Sequence, residues 1–115
     1  FGIIDYIESL DVKVNTICRG RAMSAAAVIL ACGTGNRMMS KRSTVMFHQS
    51  SSFMGGKMSD ITAYLDNIKS LEVLIYSMLA EKTKKDADWW REKMRNDSFF
   101  TSEELLEIGV IDQII

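Results

Sequence analysis

The chain has 115 residues, a length that suits one domain. Hydrophobic residues make up 47% of it and charged residues 25%, which excludes a disordered or fibrous protein. Its 14 Lys and Arg residues are balanced by 15 Asp and Glu residues, so it lacks the positive excess with which proteins bind nucleic acid.

The N-terminal half of the chain predicts helices and short strands. Apolar residues at helical spacing predict an amphipathic helix over residues 1–10, and the pattern that follows predicts a strand over 12–18. The run Ser24–Cys32 is apolar on every side, which predicts a fully buried helix with a left-handed cap at Gly33. Two short strands complete this half, at residues 37–39 and 44–47.

The C-terminal half is expected to contain one long helix. The segment 49–57 is the most flexible by composition, and Ser59 or Asp60 can cap the helix that follows, up to about Thr83. At 1.5 Å per residue this helix spans on the order of 36 Å, so its distal part is expected to pack against something outside the domain. Three elements follow: a helix from Asp86 to Arg95, a helix from the capping box Thr101–Glu104 to Gly109, and a strand within 110–115. The succession of strands and helices predicts an α/β domain.

The cysteines and the hydropathy of the chain indicate its cellular compartment and whether it has a metal site or a membrane span. Cys18 and Cys32 lie inside apolar runs, which is typical of a cytosolic protein rather than a disulfide scaffold. Only His48 could join them as a zinc ligand and no CxxC pair exists, so no metal site is expected. The longest apolar run, 25–32, is far shorter than the roughly 20 residues of a membrane span, and no signal peptide is visible.

Ser24 is the first candidate for chemistry. It stands on a turn from strand to helix and is followed only by small residues, so substrate can approach its hydroxyl closely. The helix N-terminus adds positive potential and free N–H groups, which suit an oxyanion. The spacing resembles, without matching, the Gly-x-Ser-x-Gly elbow. The alternative is that Ser24 only caps the helix.

Two further polar residues lie at the boundaries of elements. His48 ends a strand-like run where it opens into a loop, and histidine can act as a general base near neutral pH. The alternative is a histidine with no catalytic role, whose hydrogen bonds are satisfied at the end of a strand. Asp97 could orient an imidazole or could equally pair with a neighbouring arginine. Spacing does not favour it over five other aspartates, Asp60, Asp66, Asp86, Asp88 and Asp112.

Three segments together resemble the Clp protease proteolytic subunit family (ClpP), serine peptidases of the ClpP/crotonase superfamily. Thr16–Ser24 resembles the strand and nucleophile turn written TICxGxAAS, Thr44–Gln49 resembles SRVMIHQ, and Asp97–Asp112 resembles DRxFxSxxEAxxYGLID. The match covers essentially all of the chain, with about a one-residue deletion near Gly35. It implies a ClpP/crotonase-like superhelix of repeated β-β-α units with a long protruding handle helix. It also implies that residues 1–115 are a single peptidase domain, the C-terminal two-thirds of a subunit, without the N-terminal strands.

The resemblance implies a role for each candidate residue. Ser24 would be the nucleophile, His48 the general base and Asp97 the residue that orients it, with the N–H of Ala25 as an oxyanion donor. Substrate would pair as an added strand with Ser51, Ser52, Phe53, Met54 and Gly55. The handle, about 49–83, would interlock two rings through Tyr64, Leu65, Ile68, Leu71 and Ile75. The alternative is that most of these five side chains are intradomain core.

The resemblance also implies a biological role. The protein would be an ATP-dependent serine endopeptidase subunit that degrades unfolded proteins to short peptides, assembled as two stacked heptameric rings in the cytoplasm (or in an organelle of a eukaryote). Its partner would be an AAA+ unfoldase, which uses the ATP, so no cofactor is expected on this chain. Neither nucleic acid nor a membrane is an expected partner.

Departures from the family leave alternatives open. Ala25–Ala26 stand where the family usually has Met-Gly, and Lys41 and Ser50 stand where it has prolines. The family's second oxyanion donor lies in an N-terminal part that this chain does not include, so the 115 residues alone are expected to show little peptidase activity. One alternative is a non-catalytic structural paralogue. Another is a different member of the superfamily, such as a signal-peptide peptidase with a Ser–Lys pair or an acyl-CoA enzyme.

Overall fold

Six short strands and five helices make up the computed structural model, which describes residues 1–115. The strands are β1 (Thr16–Cys18), β2 (Arg21–Met23), β3 (Arg37–Met39), β4 (Thr44–Phe47), β5 (Ser98–Phe100) and β6 (Gln113–Ile114). The helices are α1 (Gly2–Ser9), α2 (Ala25–Ala31), α3 (Met58–Lys82), α4 (Ala87–Lys93) and α5 (Ser102–Glu107).

The chain repeats a β-β-α unit. The first unit is β1-β2-α2 and the second is β3-β4-α3, and each places its first strand in one sheet and its second strand in the other. Equivalent strands pair in parallel, β1 with β3 and β2 with β4. The first sheet has the order β1-β3-β6, and the second has the order β2-β4-β5 with β5 antiparallel to β4. This architecture confirms the predicted α/β class and the ClpP/crotonase-like superhelix.

The hydrophobic core is continuous from the sheets to the base of α3. Its largest fully buried side chains are Trp90, Phe47, Met39, Leu79, Leu105 and Ile111. The Trp90 ring lies 4.8 Å from that of Phe47, and its indole N–H donates to Thr83 Oγ1 at 2.9 Å. Because this buried polar group is satisfied, Trp90 can pack against the last residue of β4 and fix the end of that strand.

The helix α2 differs from its prediction at both ends. Its first turn is exposed at Ser24, Ala25 and Ala26, so the prediction of a fully buried helix is wrong there. It ends at Cys32 with φ −95°, and Gly33 is not left-handed, so the predicted cap is also wrong. A Cβ on Gly33 would lie 2.6 Å from Thr16 Oγ1, so glycine is required by close packing and not by a left-handed turn.

The handle helix α3 has 25 residues and begins after Lys57, which has no capping side chain, so the prediction that Ser59 or Asp60 caps it is wrong. Only Tyr76 and Leu79 on it are buried. Three of the five predicted interface residues are exposed: Tyr64 (53%), Leu65 (39%) and Leu71 (37%). Ile68 is half-buried and Ile75 packs partly against the core. The alternative that most of the five form intradomain core is therefore wrong.

The C-terminal caps follow their predictions. Asp86 accepts the N–H of Trp89 at 2.8 Å and caps α4. Thr101 and Glu104 form both halves of the capping box of α5. The final strand, however, is confined to Gln113–Ile114. Although α3 is long, neither it nor any other helix is apolar over a length that could cross a membrane.

Candidate active site

One edge of the second sheet collects the three candidate catalytic residues. Ser24 directly follows β2, His48 directly follows β4, and Asp97 directly precedes β5. Since β2 and β4 are parallel, their C-terminal ends lie at the same edge. The strand β5 is antiparallel to β4, so its N-terminal end lies at that edge too. The topology therefore brings together residues that are far apart in the sequence.

The pairing of β4 with β5 places His48 beside Asp97. Phe47 pairs with Ser98 in antiparallel register, so His48, one residue after Phe47, comes opposite Asp97, one residue before Ser98. Oδ1 of Asp97 lies 3.6 Å from Nδ1 of His48, an ion-pair distance slightly longer than a hydrogen bond. The His48 side chain is 24% exposed and that of Asp97 is 64% exposed. With its Nδ1 facing a carboxylate, the imidazole keeps Nε2 for proton transfer, as a general base requires.

The structure separates Asp97 from the five other aspartates considered above. Asp86 caps α4, Asp88 pairs with Arg91 and Asp112 pairs with Arg37. The remaining two, Asp60 and Asp66, are exposed on the handle helix. Asp97 itself forms no ion pair with an arginine, so that alternative is wrong, and the imidazole of His48 is the group that its carboxylate faces. No three His, Cys, Asp or Glu side chains converge on a point where a metal ion could bind.

Ser24 has an unusual backbone conformation. Its φ of 57° is positive, which occurs at no other non-glycine residue of the chain. This conformation is strained for a residue with a side chain, and it is a feature of the turn that exposes a serine nucleophile. The Ser24 N–H donates to the Met46 carbonyl at 2.9 Å, which ties the turn to β4. Its side chain makes no capping hydrogen bond to α2, so the alternative of a simple helix cap is wrong.

Free N–H groups follow Ser24 at the start of α2. The carbonyl of Ser24 accepts the N–H groups of Ala27 and Val28, at 3.0 and 3.3 Å. The N–H groups of Ala25 and Ala26 come before these and have no acceptor within the chain. Both alanines are exposed, so these donors are accessible beside the Ser24 hydroxyl. Such donors can stabilise a negatively charged oxygen.

An apolar pocket beside Ala25 was missed from the sequence. It has a volume of about 360 Å³ and lies between α1, α2 and α3. Its lining includes Phe1, Ile3, Ile4, Val28, Ile75 and Met78. The helical spacing of Phe1, Ile3 and Ile4 showed that they share an apolar face, but not that this face borders the turn at Ser24. The pocket can take an apolar side chain next to the candidate nucleophile.

The segment predicted to bind substrate is exposed throughout. Residues 51–55 have no helix or strand, and Phe53 is fully exposed. None of the residues 51–56 makes a hydrogen bond with the rest of the chain. Their backbone N–H and C=O groups are therefore free to pair with an added strand.

The sequence model of the family described as Clp protease matches residues 1–115, the whole chain. The chain belongs to the Clp protease family. It is 37% identical over 114 residues to "ATP-dependent Clp protease proteolytic subunit 2" of Frankia casuarinae, covering 98% of this chain and 52% of that protein. A subunit 2 of Streptomyces coelicolor is also 37% identical, over 115 residues, with 98% and 53% covered. A subunit 2 of Mycobacterium tuberculosis is 35% identical over 116 residues, with 98% and 54% covered.

These relatives of the Clp protease family confirm the resemblance that the three motifs predicted. The chain spans about half the length of the curated relatives that it matches, a smaller share than the two-thirds expected from the motifs. The match runs through all three motif segments and therefore includes Ser24, His48 and Asp97.

Proposed function

We propose that this chain carries the catalytic triad of a serine endopeptidase subunit. Ser24 is the nucleophile, His48 the general base and Asp97 the residue that orients the imidazole. The observation that supports this most strongly is the edge formed by the ends of β2, β4 and β5, where all three residues lie. The 3.6 Å between His48 Nδ1 and Asp97 Oδ1 fits that division of roles.

The proposed reaction is acyl transfer. His48 Nε2 accepts the proton of the Ser24 hydroxyl as Ser24 Oγ attacks the carbonyl carbon of a peptide bond. The tetrahedral oxygen that forms accepts a hydrogen bond from the N–H of Ala25, which supplies one oxyanion donor. His48 then gives its proton to the leaving amine, and Ser24 carries the acyl group until water hydrolyses the ester. Asp97 holds Nδ1–H and stabilises the imidazolium that forms in between.

The substrate class follows from the exposed segment. An extended peptide pairs through its backbone with Ser51, Ser52, Phe53, Met54 and Gly55, which gives affinity with little dependence on sequence. The apolar pocket beside Ala25 accepts one side chain next to the scissile bond. Because most backbone groups of a folded protein are already paired within its own helices and strands, the substrates are unfolded polypeptides, which are cut to short peptides.

The exposed handle supports self-assembly. Tyr64, Leu65 and Leu71 leave apolar surface in water along α3, and Ile68 and Ile75 continue the same helical face. Burial of this face against another subunit would complete the interface of two stacked heptameric rings. The relatives are named as ATP-dependent, so we further propose an AAA+ unfoldase as the partner that consumes ATP and delivers substrate in the cytoplasm. The alternative of a non-catalytic paralogue predicts loss of a triad residue, whereas all three residues are present.

The test is the Ser24→Ala variant of the full-length protein that contains this chain. Removal of the nucleophile should lower kcat for a fluorogenic peptide by about 10³-fold or more. Ser9→Ala is the matched control, because Ser9 lies at the exposed end of α1 and bonds only to the Tyr6 carbonyl. A Ser24→Ala protein with full peptidase activity would contradict the triad mechanism.

A further inference from the structure

The loop that leaves β4 is tied to the handle helix by a charged hydrogen bond. The N–H of Ser50 donates to Oε1 of Glu72 on α3 at 2.8 Å. After Ser50, residues 51–56 are exposed and make no hydrogen bond with the rest of the chain. Glu72 therefore supplies the last anchor before the segment to which the proposed function assigns substrate binding.

A second hydrogen bond holds the residue before Ser50. The N–H of Gln49 donates to the Met94 carbonyl at 2.7 Å, at the end of α4. Two successive backbone N–H groups are thus bound by two different helices: that of Gln49 by the end of α4 and that of Ser50 by α3. Two such contacts on adjacent residues fix the direction of the chain as well as its position, and the direction of residues 51–55 follows from it.

Glu72 lies in a polar environment between α3 and α4. It lines a polar cavity of about 400 Å³ between α3 and α4, together with Lys69, Tyr76 and Arg91. Burial raises the pKa of Tyr76 and the negative charge of Glu72 raises it further, while Arg91 opposes both. The guanidinium of Arg91 lies 5.8 Å from the centre of the Tyr76 ring. A carboxylate in this position is a stronger acceptor for a backbone N–H than a neutral group.

We propose that Glu72 is a positioning residue for peptide binding, because its carboxylate sets the direction in which the segment 51–55 leaves the strand that carries His48. This inference rests on the proposed function. The donor is the backbone of Ser50, so the nature of the side chain at position 50 is immaterial while an N–H is present. The acceptor at position 72 does not touch substrate, and it acts on KM rather than on the chemical step.

The experiment compares Glu72→Leu and Glu72→Gln in the full-length protein. Glu72→Leu removes the acceptor and should raise KM for a fluorogenic peptide about three- to tenfold, with kcat within twofold. Glu72→Gln keeps an acceptor oxygen and should restore KM to within about twofold of the wild type. Labelling of Ser24 by a small fluorophosphonate, which does not need the segment 51–55, should be equal in all three proteins. Glu81→Leu is the control, since this exposed glutamate of α3 accepts no hydrogen bond.

A double-mutant cycle separates this hydrogen bond from other effects of Glu72. Ser50→Pro removes the donor, so Glu72→Leu should add less than twofold to KM in that background. An unchanged KM in Glu72→Leu, or a full effect of Glu72→Leu on top of Ser50→Pro, would overturn the inference. A wild-type protein that does not label at Ser24 overturns the proposed function as well, whereas a labelled wild type with an unchanged Glu72→Leu overturns this inference alone.

Discussion

Oδ1 of Asp97 lies 3.6 Å from Nδ1 of His48, although about two-fifths of the chain separates the two residues. The contact depends on the antiparallel pairing of Phe47 with Ser98, which aligns the residues just beyond the ends of β4 and β5. The long helix α3 and the helix α4 lie between these strands in the sequence. They return the chain to the edge of the sheet at which Ser24 already stands.

Asp97→Asn keeps the shape of the side chain and removes its charge. Without the charge the imidazolium that forms during catalysis is not stabilised, so kcat for peptide hydrolysis should fall about 10²- to 10⁴-fold. The fold, followed by circular dichroism, should not change, because Asp97 is largely exposed. Asp88→Asn is the matched control, since Asp88 pairs only with Arg91 on the surface of α4. A kcat within threefold of the wild type in Asp97→Asn would contradict the role given to Asp97.

Gly33→Ala should destabilise the fold through a steric clash. The added Cβ would lie 2.6 Å from Thr16 Oγ1, and we expect the free energy of unfolding in urea to fall by about 1–3 kcal/mol. Thr16→Ala removes both Oγ1 and Cγ2, so Gly33→Ala should cost clearly less in that background. Equal losses in both backgrounds would show that the contact with Thr16 is not what requires glycine at position 33.

The buried thiol of Cys32 should be unreactive in the folded chain. Burial raises the pKa of Cys32 to about 11, against a smaller opposing effect of Lys82. At pH 8 the thiolate fraction is then on the order of 10⁻³, so iodoacetamide should alkylate Cys32 only after unfolding. Rapid alkylation under native conditions, mapped by mass spectrometry, would contradict the burial.

The same thiol makes stability depend on pH. Burial raises the pKa of Cys32 in the folded chain above the ordinary value of 9.0, so the unfolded chain loses this proton at a lower pH than the folded chain does. The contribution of the protonated thiol to the free energy of unfolding is therefore fully present below pH 9 and is lost as the pH rises towards 11. Over that range the free energy of unfolding of the wild type should fall on the order of 2 kcal/mol more than that of Cys32→Ala. Parallel curves for the two proteins would contradict this prediction.

Leu71→Asp tests the exposed face of the handle. It places a charge among the apolar side chains of Tyr64, Leu65, Ile68 and Ile75, which should weaken the contact between subunits. The molar mass of the full-length assembly, measured by light scattering coupled to size-exclusion chromatography, should therefore fall. Ser70→Asp adds the same charge on another face of α3 and should leave the assembly intact. An unchanged mass in Leu71→Asp would show that this face is not the interface.

Much of the fold could be predicted from local signals. The caps at Asp86 and Thr101 follow from residues that lie next to each other in the sequence, and their helices agree with prediction. The nucleophile turn followed from the position of Ser24 between a strand and small residues. In each case one stretch of chain contains both partners of the interaction.

The rest depends on contacts between distant segments. The strand Ser98–Phe100 has three residues, too few for a periodic pattern, and it is held by its pairing with β4. Without that strand the sequence offered no reason to place Asp97 beside His48. Glycine commonly ends helices in a left-handed conformation, which predicts such a cap at Gly33, whereas it is the contact with the Thr16 side chain that requires glycine there.

The most direct test of the proposed Ser24–His48–Asp97 triad is the reaction of the full-length protein with a fluorophosphonate, with the adduct mapped by mass spectrometry. The proposed triad predicts one adduct per subunit, on Ser24, which is lost in Ser24→Ala and forms at least tenfold more slowly in His48→Gln because the general base is missing. Ser77→Ala, on an exposed part of α3, should label as the wild type does. A folded protein that forms no adduct on Ser24, or one whose labelling does not depend on His48, would contradict the triad.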